Sequence, residues 1–362
     1  MPRLYWVVGE LSGEQYAAPL AHRLQALVPA LSQRGLAGPL MQEAGVEAFQ
    51  SWEPYSVVGF WEVARNLPRF LRLLQGIWED IQTWKPDRVV LVDYPGLNLR
   101  LARRLAKAGI PFTYFISPQL WAWNPSRVRA LQTPFAEVLC ILPFEPDFYA
   151  QYGVKATYVG HPLVSMMRDV EPYSHDRPYI AILPGSRLAE VRNTLPIYVA
   201  AAQAFPAYDS LIAGVGHIPE ALYERYRGPY RVVYGQTRSL LKGAVAAMVT
   251  SGTATLEAAL ALCPSLIGYK GSYLSYWIAR QLVRVNFIGL PNLILQEAVF
   301  PELIQGELTA ERVQDTLRGL LSQREMILEK LRGLQARLGE EDAIEKAACH
   351  VSQALSATST PA

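Results

Sequence analysis

The sequence predicts an α/β protein of two successive Rossmann-like domains, each a parallel sheet covered by helices, facing a central cleft. Three observations predict it. Short apolar runs alternate with helical patterns through most of the chain. The alternation is broken once, by the polar, proline-bearing stretch "DVEPYSHDRP" (Asp169–Pro178), and then restarts. The turns after the apolar runs carry glycine, hydroxyl and acidic residues, at the strand ends where open parallel sheets bind ligands.

In chain order, "LYWVV" (Leu4–Val8) is a strand, followed by a helix containing Leu20, Leu24 and Leu27. "RVVLVD" (Arg88–Asp93) is a second strand, and "NLRLARRLAKAG" a helix ending in Lys107 and Gly109, a common helix stop. "FTYFIS", "AEVLCIL" and "ATYVG" complete the first series of strands. After the linker, "YIAILPG" (Tyr179–Gly185) is a strand and "EVRNTLPIYVAAAQAF" a helix. "SLIAG", "YRVVYG", "AVAAMV", "SLIGY" and "FIGLP" are read as further strands, and Ala310 to Leu355 as helical. The expected domains are residues 1–170, residues 171–308, and a helical block at 309–362. That block either packs back on the first domain or exchanges with a partner in a homodimer; the sequence leaves both open.

The 362 residues are 51% hydrophobic and 18% charged, a composition that builds a core and excludes a disordered chain. With 34 basic and 32 acidic residues the net charge is +2, which gives no basis for bulk nucleic-acid binding. Cys140, Cys263 and Cys349 form no CxxC and read as buried thiols of a reducing compartment. The N-terminus lacks the apolar region of a signal peptide, and no apolar run reaches membrane-span length. A soluble protein, or one lying on a membrane surface, is expected. The five histidines are scattered, with no HxH or HExxH, and there is no DxD, GxGxxG or GxxxxGK[ST]. No metal and no nicotinamide or ATP cofactor is expected.

"VTSGTATLEAAL" (Val249–Leu260) is the most informative stretch. A strand stops at Thr250-Ser251-Gly252-Thr253 and a helix starts at once. Free N–H groups and partial positive charge at such a start bind phosphate if the backbone can approach, as Gly252 permits. Glu257, one turn in, suits sugar hydroxyls. The same residues also fit an ordinary helix cap with a dipole-favourable glutamate. "LPGSR" (Leu183–Arg187) tilts the reading to a diphosphate site: Gly185 and Ser186 offer N–H groups and Arg187 a guanidinium fork.

"GELSGEQ", "VDYPGLN", "SPQLWAW", "PFE", "GHPL", "LPGSR", "TSGTATLE" and "GLPNLIL" occur in an order that resembles the lipid-A-disaccharide synthases, from about Leu4 to about Glu302. The resemblance implies a GT-B glycosyltransferase fold and a metal-independent, inverting transfer. UDP-2,3-diacylglucosamine would be joined to 2,3-diacylglucosamine 1-phosphate at the cytoplasmic face of the inner membrane, the enzyme being peripheral. The first domain would then serve the acceptor and membrane side, and the second the UDP-sugar. By the same resemblance Asp93 is the general base for the acceptor's 6-hydroxyl, or else caps the helix that follows. Glu10 and His161 join it as catalytic candidates, His161 touching substrate or merely bridging the domains. Ser12, Gly13 and Asn98 fall on the acceptor side; Gly185, Ser186, Arg187, Ser251, Gly252, Thr253, Glu257 and Asn292 on the donor side. Rival readings are another UDP-sugar enzyme of this architecture, such as an undecaprenyl-linked transferase or a UDP-GlcNAc epimerase, and a non-catalytic membrane-associated homologue.

Two positions depart from the family's usual pattern: Glu14 stands where "GExSGD" ends in aspartate, and Gly96 where "DxPDFN" carries a second acid. Two segments have the make-up of interfacial helices, "FWEVARNLPRFLRLLQGIWEDIQTWKP" (Phe60–Pro86) and "SYLSYWIARQLVRV" (Ser272–Val285). The first also fits a helix whose apolar side covers the protein's own core.

Overall fold

The computed structural model of the chain describes residues 1–52, 67–271 and 286–358. It forms two compact units, Met1–Pro162 with Glu341–Ala362, and Leu163–Glu340.

The first unit runs β1 (Arg3–Val8), α1 (Leu11–Leu27), β2 (Ser32–Leu36), α2 (Pro39–Glu43), β3 (Glu47–Gln50), α3 (Leu67–Trp84), β4 (Arg88–Val92) and α4 (Pro95–Ala108). It continues with β5 (Phe112–Phe115), β6 (Ala136–Cys140), α5 (Glu145–Ala150) and β7 (Ala156–Tyr158). The seven strands pair in the order β3-β2-β1-β4-β5-β6-β7, all parallel. Every residue of β4 is buried, as suits a strand covered on both faces. Leu4 faces Arg88 and Val8 faces Val92 across the β1–β4 pair, so Gly9 and Asp93 leave the sheet at the same level. The strand order reverses between these two strands, where a doubly wound sheet opens a crevice.

The second unit contains β8 (Tyr179–Leu183), α6 (Leu188–Ala202), β9 (Asp209–Gly214), β10 (Arg231–Tyr234), α7 (Thr237–Gly243), β11 (Ala246–Thr250), α8 (Ala254–Leu260) and β12 (Ser265–Tyr269). α9 (Leu290–Leu295), β13 (Glu302–Ile304), α10 (Ala310–Ser322) and α11 (Arg324–Leu338) follow. Its sheet is ordered β10-β9-β8-β11-β12-β13, again parallel. Here the reversal lies between β8 and β11.

The C-terminal block is divided. α10 packs on α6 and β12, and α11 on α8 and α9, all in the second unit. The last helix, Ala343–Thr358, packs on α1 of the first. Ala343, Ala347, Ala348, Val351 and Leu355 form its buried stripe, and Arg23 grips Glu345 through two hydrogen bonds of 2.5 and 2.7 Å.

Some expectations change. "FIGLP" is not a strand: Phe287–Gly289 turn into α9, because Pro291 opens that helix and the Glu302 carboxylate binds the N–H groups of Ile288 and Gly289. In α3, Leu73 and Leu74 are buried in the core, and Phe70 and Trp78 pack against it. These residues therefore face the protein interior and not a bilayer; Arg69, Leu71 and Arg72 remain exposed. The preceding part of that segment, 53–66, and the second candidate, 272–285, lie outside the described residues.

Candidate active site

In the first unit the crevice is formed by the turns after β1 and β4. Asp93 and Tyr94 both adopt left-handed backbone conformations, φ 44° and 43°. Such angles are rare and costly for non-glycine residues. The tight turn lays the Tyr94 ring over Gly9, where a Cβ would come within 2.3 Å of it. The Tyr114 hydroxyl donates to the Asp93 carbonyl, 2.6 Å, and fixes the turn from below. Burial, then the negative charge of Glu10, pushes the Asp93 carboxyl up to about 7. Glu10 precedes α1 and accepts a hydrogen bond from Ser12 Oγ, 2.7 Å. Asp93, Glu10 and Ser12 thus gather at one place.

Other predicted residues serve the frame. Asn98 is fully buried, and its Nδ2 donates to the carbonyls of Val92 (3.0 Å) and Asp93 (2.8 Å), tying α4 to the end of β4. Gly13 is buried beneath Val8 and Val92. Glu14 is buried too, accepting from Met41 N–H at the start of α2 and from Trp52 Nε1, both 3.0 Å. The glutamate at this departure is therefore spent on internal hydrogen bonds. Gly96 lies in the first turn of α4, and a Cβ there would meet open space. His161 is 2% exposed, edge-on to Tyr16, and burial pushes it down to about 3, so its ring is neutral near pH 7.

Sequence reasoning misses Glu145. It is 1% exposed, accepts from Trp121 Nε1 (3.1 Å) and Leu142 N–H (3.0 Å), and burial raises its carboxyl to about 7. Its charge also contributes to the high pKa of Asp93. Its one signal is its place in "PFE".

In the second unit the crevice turns follow β8 and β11. Gly185 has φ 108°, and a Cβ there would strike the Glu190 carboxylate at 2.5 Å, so glycine is required. Glu190 Oε2 accepts from the N–H groups of Ser186 (3.0 Å) and Arg187 (3.2 Å), and Oε1 from Arg187 Nη1 (3.1 Å). An internal carboxylate therefore occupies the groups predicted to take a diphosphate. His217 Nε2 lies 2.8 Å from the Ser186 carbonyl and holds the same turn. Thr194 joins the two turns, donating to the Pro184 carbonyl (2.8 Å) and lying 3.3 Å from Thr250 Oγ1.

Gly252 and Thr253 are exposed on the second turn, and Ser251 Oγ donates to the Ile288 carbonyl, 3.3 Å. Glu257 pairs with Arg238 of α7, Nε to Oε1 2.8 Å. Arg238 carries no sequence signal, since it lies 19 residues from its partner. Asn292 is fully buried; its amide bonds Phe300 O, Phe300 N and Glu302 Oε1, so it braces α9 and is not displayed to a ligand. Among the described residues no group of three His, Cys, Asp or Glu side chains could hold a metal ion, and no helix is long and apolar enough to cross a membrane.

The chain matches known proteins over nearly its whole length. Among solved structures it is similar to the kitacinnamycin glycotransferase, with a TM-score of 0.68, 14% identity, and 98% and 99% of the two chains covered. It is also similar to a calicheamicin glycosyltransferase, with a TM-score of 0.65, 17% identity, and 99% and 100% covered. A UDP-GlcNAc 2-epimerase from Neisseria meningitidis scores 0.65 at 10% identity, with 97% and 100% covered. At these identities the likeness establishes the fold, GT-B. In sequence it is 39% identical to the lipid-A-disaccharide synthase of Myxococcus xanthus, over 98% of both chains. It is 36% identical to that of Syntrophus aciditrophicus, over 94% and 95%. The family model for lipid-A-disaccharide synthetase matches residues 4–355. The chain belongs to the lipid-A-disaccharide synthetase family.

Proposed function

We propose that this protein is a lipid-A-disaccharide synthase that joins UDP-2,3-diacylglucosamine to 2,3-diacylglucosamine 1-phosphate and releases UDP. The observation that carries the chemistry is the Asp93 carboxyl, held near 7 by burial and by Glu10 at the sheet crossover of the first unit. A base with a pKa near the working pH combines a useful ionised fraction with real proton affinity. Asp93 takes the proton of the acceptor's 6-hydroxyl as that oxygen attacks the anomeric carbon. The bond from that carbon to the diphosphate oxygen breaks, its electron pair leaves with UDP, and the configuration inverts.

On the donor side, a diphosphate that reaches the N–H groups of Ser186 and Arg187 displaces the Glu190 carboxylate and takes over the Arg187 guanidinium. Ser251, Gly252 and Thr253 add the second turn, and Glu257 receives ribose hydroxyls. The leaving charge is thereby neutralised by arginine and backbone N–H groups, and no metal is used. The acylated substrates bring the enzyme to the cytoplasmic face of the membrane as a peripheral protein.

The test is product mass and UDP release by purified protein with both substrates in detergent micelles containing EDTA. The expected result is a disaccharide 1-phosphate and UDP in equal amounts, with Asp93→Ala and Arg187→Ala each lowering the rate by about a hundredfold or more. UDP without disaccharide, or no turnover by folded protein that binds UDP, overturns the assignment.

A further inference from the structure

The first turn of α4 contains no acid, yet two guanidinium groups converge on it. Arg100 Nη1 donates to the Gly96 carbonyl, 2.7 Å, and Arg127 Nη2 to the Pro95 carbonyl, 2.9 Å. The two carbonyls belong to successive residues, so the guanidiniums flank one short piece of backbone, two to three residues beyond Asp93. Burial, and then neighbouring arginine charges, hold the Arg127 pKa below the usual arginine value. Among the described residues no carboxylate pairs with Arg100, Arg103 or Arg127.

This arrangement is electrostatically incomplete. The start of a 14-residue helix is already its positive end, and cations belong at the other. The groups are nevertheless held in place. Arg100 rests on the Phe70 ring, 5.3 Å from its centroid, and Arg127 is half-buried at the Asp93 turn. Each guanidinium retains N–H donors beyond its one carbonyl bond. A Cβ on Gly96 would meet open space, so this piece of backbone can be approached. Pre-placed forks with spare donors, mutual repulsion and a free approach suit a dianionic phosphate monoester.

We propose that Arg100 and Arg127 form a phosphomonoester site that binds the 1-phosphate of the acceptor and so presents its 6-hydroxyl to Asp93. The inference rests on the function proposed above. In a hexose the 1-phosphate and the 6-hydroxyl are borne on either side of the ring oxygen. A phosphate anchored at Pro95–Gly96 therefore leaves the hydroxyl one sugar ring away, at the neighbouring Asp93. The site selects phosphorylated over unphosphorylated acceptor.

The experiment compares kcat/KM for 2,3-diacylglucosamine 1-phosphate with that for the same lipid lacking the phosphate. It uses wild type, Arg127→Gln and Arg100→Gln. The expected result is that wild type prefers the phosphorylated acceptor and that each variant lowers this preference by about tenfold, the loss of a charge-assisted hydrogen bond. The KM for donor is expected to stay within about twofold, since the donor turns are untouched. A wild type without preference, or variants that lose both acceptors in equal proportion, overturns the site. So does a result in which the variants keep the preference but no longer sediment with phosphatidylglycerol vesicles, which would assign the arginines to lipid headgroups. If wild type makes no disaccharide from either acceptor, the proposed function falls. Titration with glucosamine 1-phosphate then decides the site: binding by wild type that is lost in Arg127→Gln supports it, and absent or unchanged binding overturns it.

Discussion

Asp93 stands in a left-handed turn, in desolvated surroundings, beside another acid. Its pKa rises from 3.8 to about 7 on folding, so between about pH 4 and 7 the folded state holds a proton that the unfolded chain has lost. Stability from this group is therefore highest at low pH, falls as pH rises through that window, and is constant above it. Asp93→Asn removes the penalty. The variant is expected to melt above wild type at pH 8, with the difference shrinking towards pH 4; thermal melts at the two pH values check this. A variant less stable than wild type at pH 8 would show that the carboxylate is stabilised where it lies. Residue types put Asp93, Arg187 and Glu257 forward as candidates, because polar groups at strand ends are where such sheets bind ligands. They did not show which polar residues are consumed by the frame. Asn98, Asn292 and Glu14 have the composition of site residues, but their hydrogen bonds run to backbone and side chains of their own unit. Glu190 shows the converse: an ordinary first-turn acid in sequence, it occupies the turn proposed to take the diphosphate.

Elements with both faces buried were the easiest to read. β1, β4, β8 and β11 are continuous apolar runs, and each is found within two residues of its expected place. Three strands without such a run were missed: β2, one place in from the edge of its sheet, and the edge strands β3 and β13. β2 is "SQRGL", whose Gln33 and Arg34 satisfy Trp6 and Asp80 and so carry no apolar pattern. β3 and β13 are only four and three residues long. The C-terminal helix shows how long-range packing escapes local pattern: its period marks a helix, but nothing in it names α1 as partner. Val351, fully buried in that stripe, provides the check. Val351→Asp puts an unpaired carboxylate into the packed face and is expected to cost about 3 kcal/mol. Chemical denaturation would show it as a lower midpoint. An unchanged midpoint would mean that the helix contributes nothing to the stability of the first unit.

At the scale of the molecule, each unit is a parallel sheet with its own crossover, and each crossover carries one half of the chemistry proposed here. The proposed base and its acid neighbour lie in the first, the turns proposed to take the diphosphate in the second. Two-unit architecture was legible because the α/β rhythm restarts after a polar linker. The split of the C-terminal block was not, since contacts between residues more than 300 positions apart, such as Arg23 with Glu345, leave no local trace. Asp93, tuned by Glu10, is the base proposed for glycosyl transfer. The pH dependence of kcat/KM for disaccharide formation by wild type and Glu10→Gln decides this role. The wild-type rate is expected to fall below an apparent pKa of about 7. In Glu10→Gln that acid limb moves to lower pH, because the neighbouring negative charge that raises Asp93 is gone. A rate that is flat from pH 5 to 8 by order of magnitude, or an acid limb that stays in place without Glu10, would contradict it.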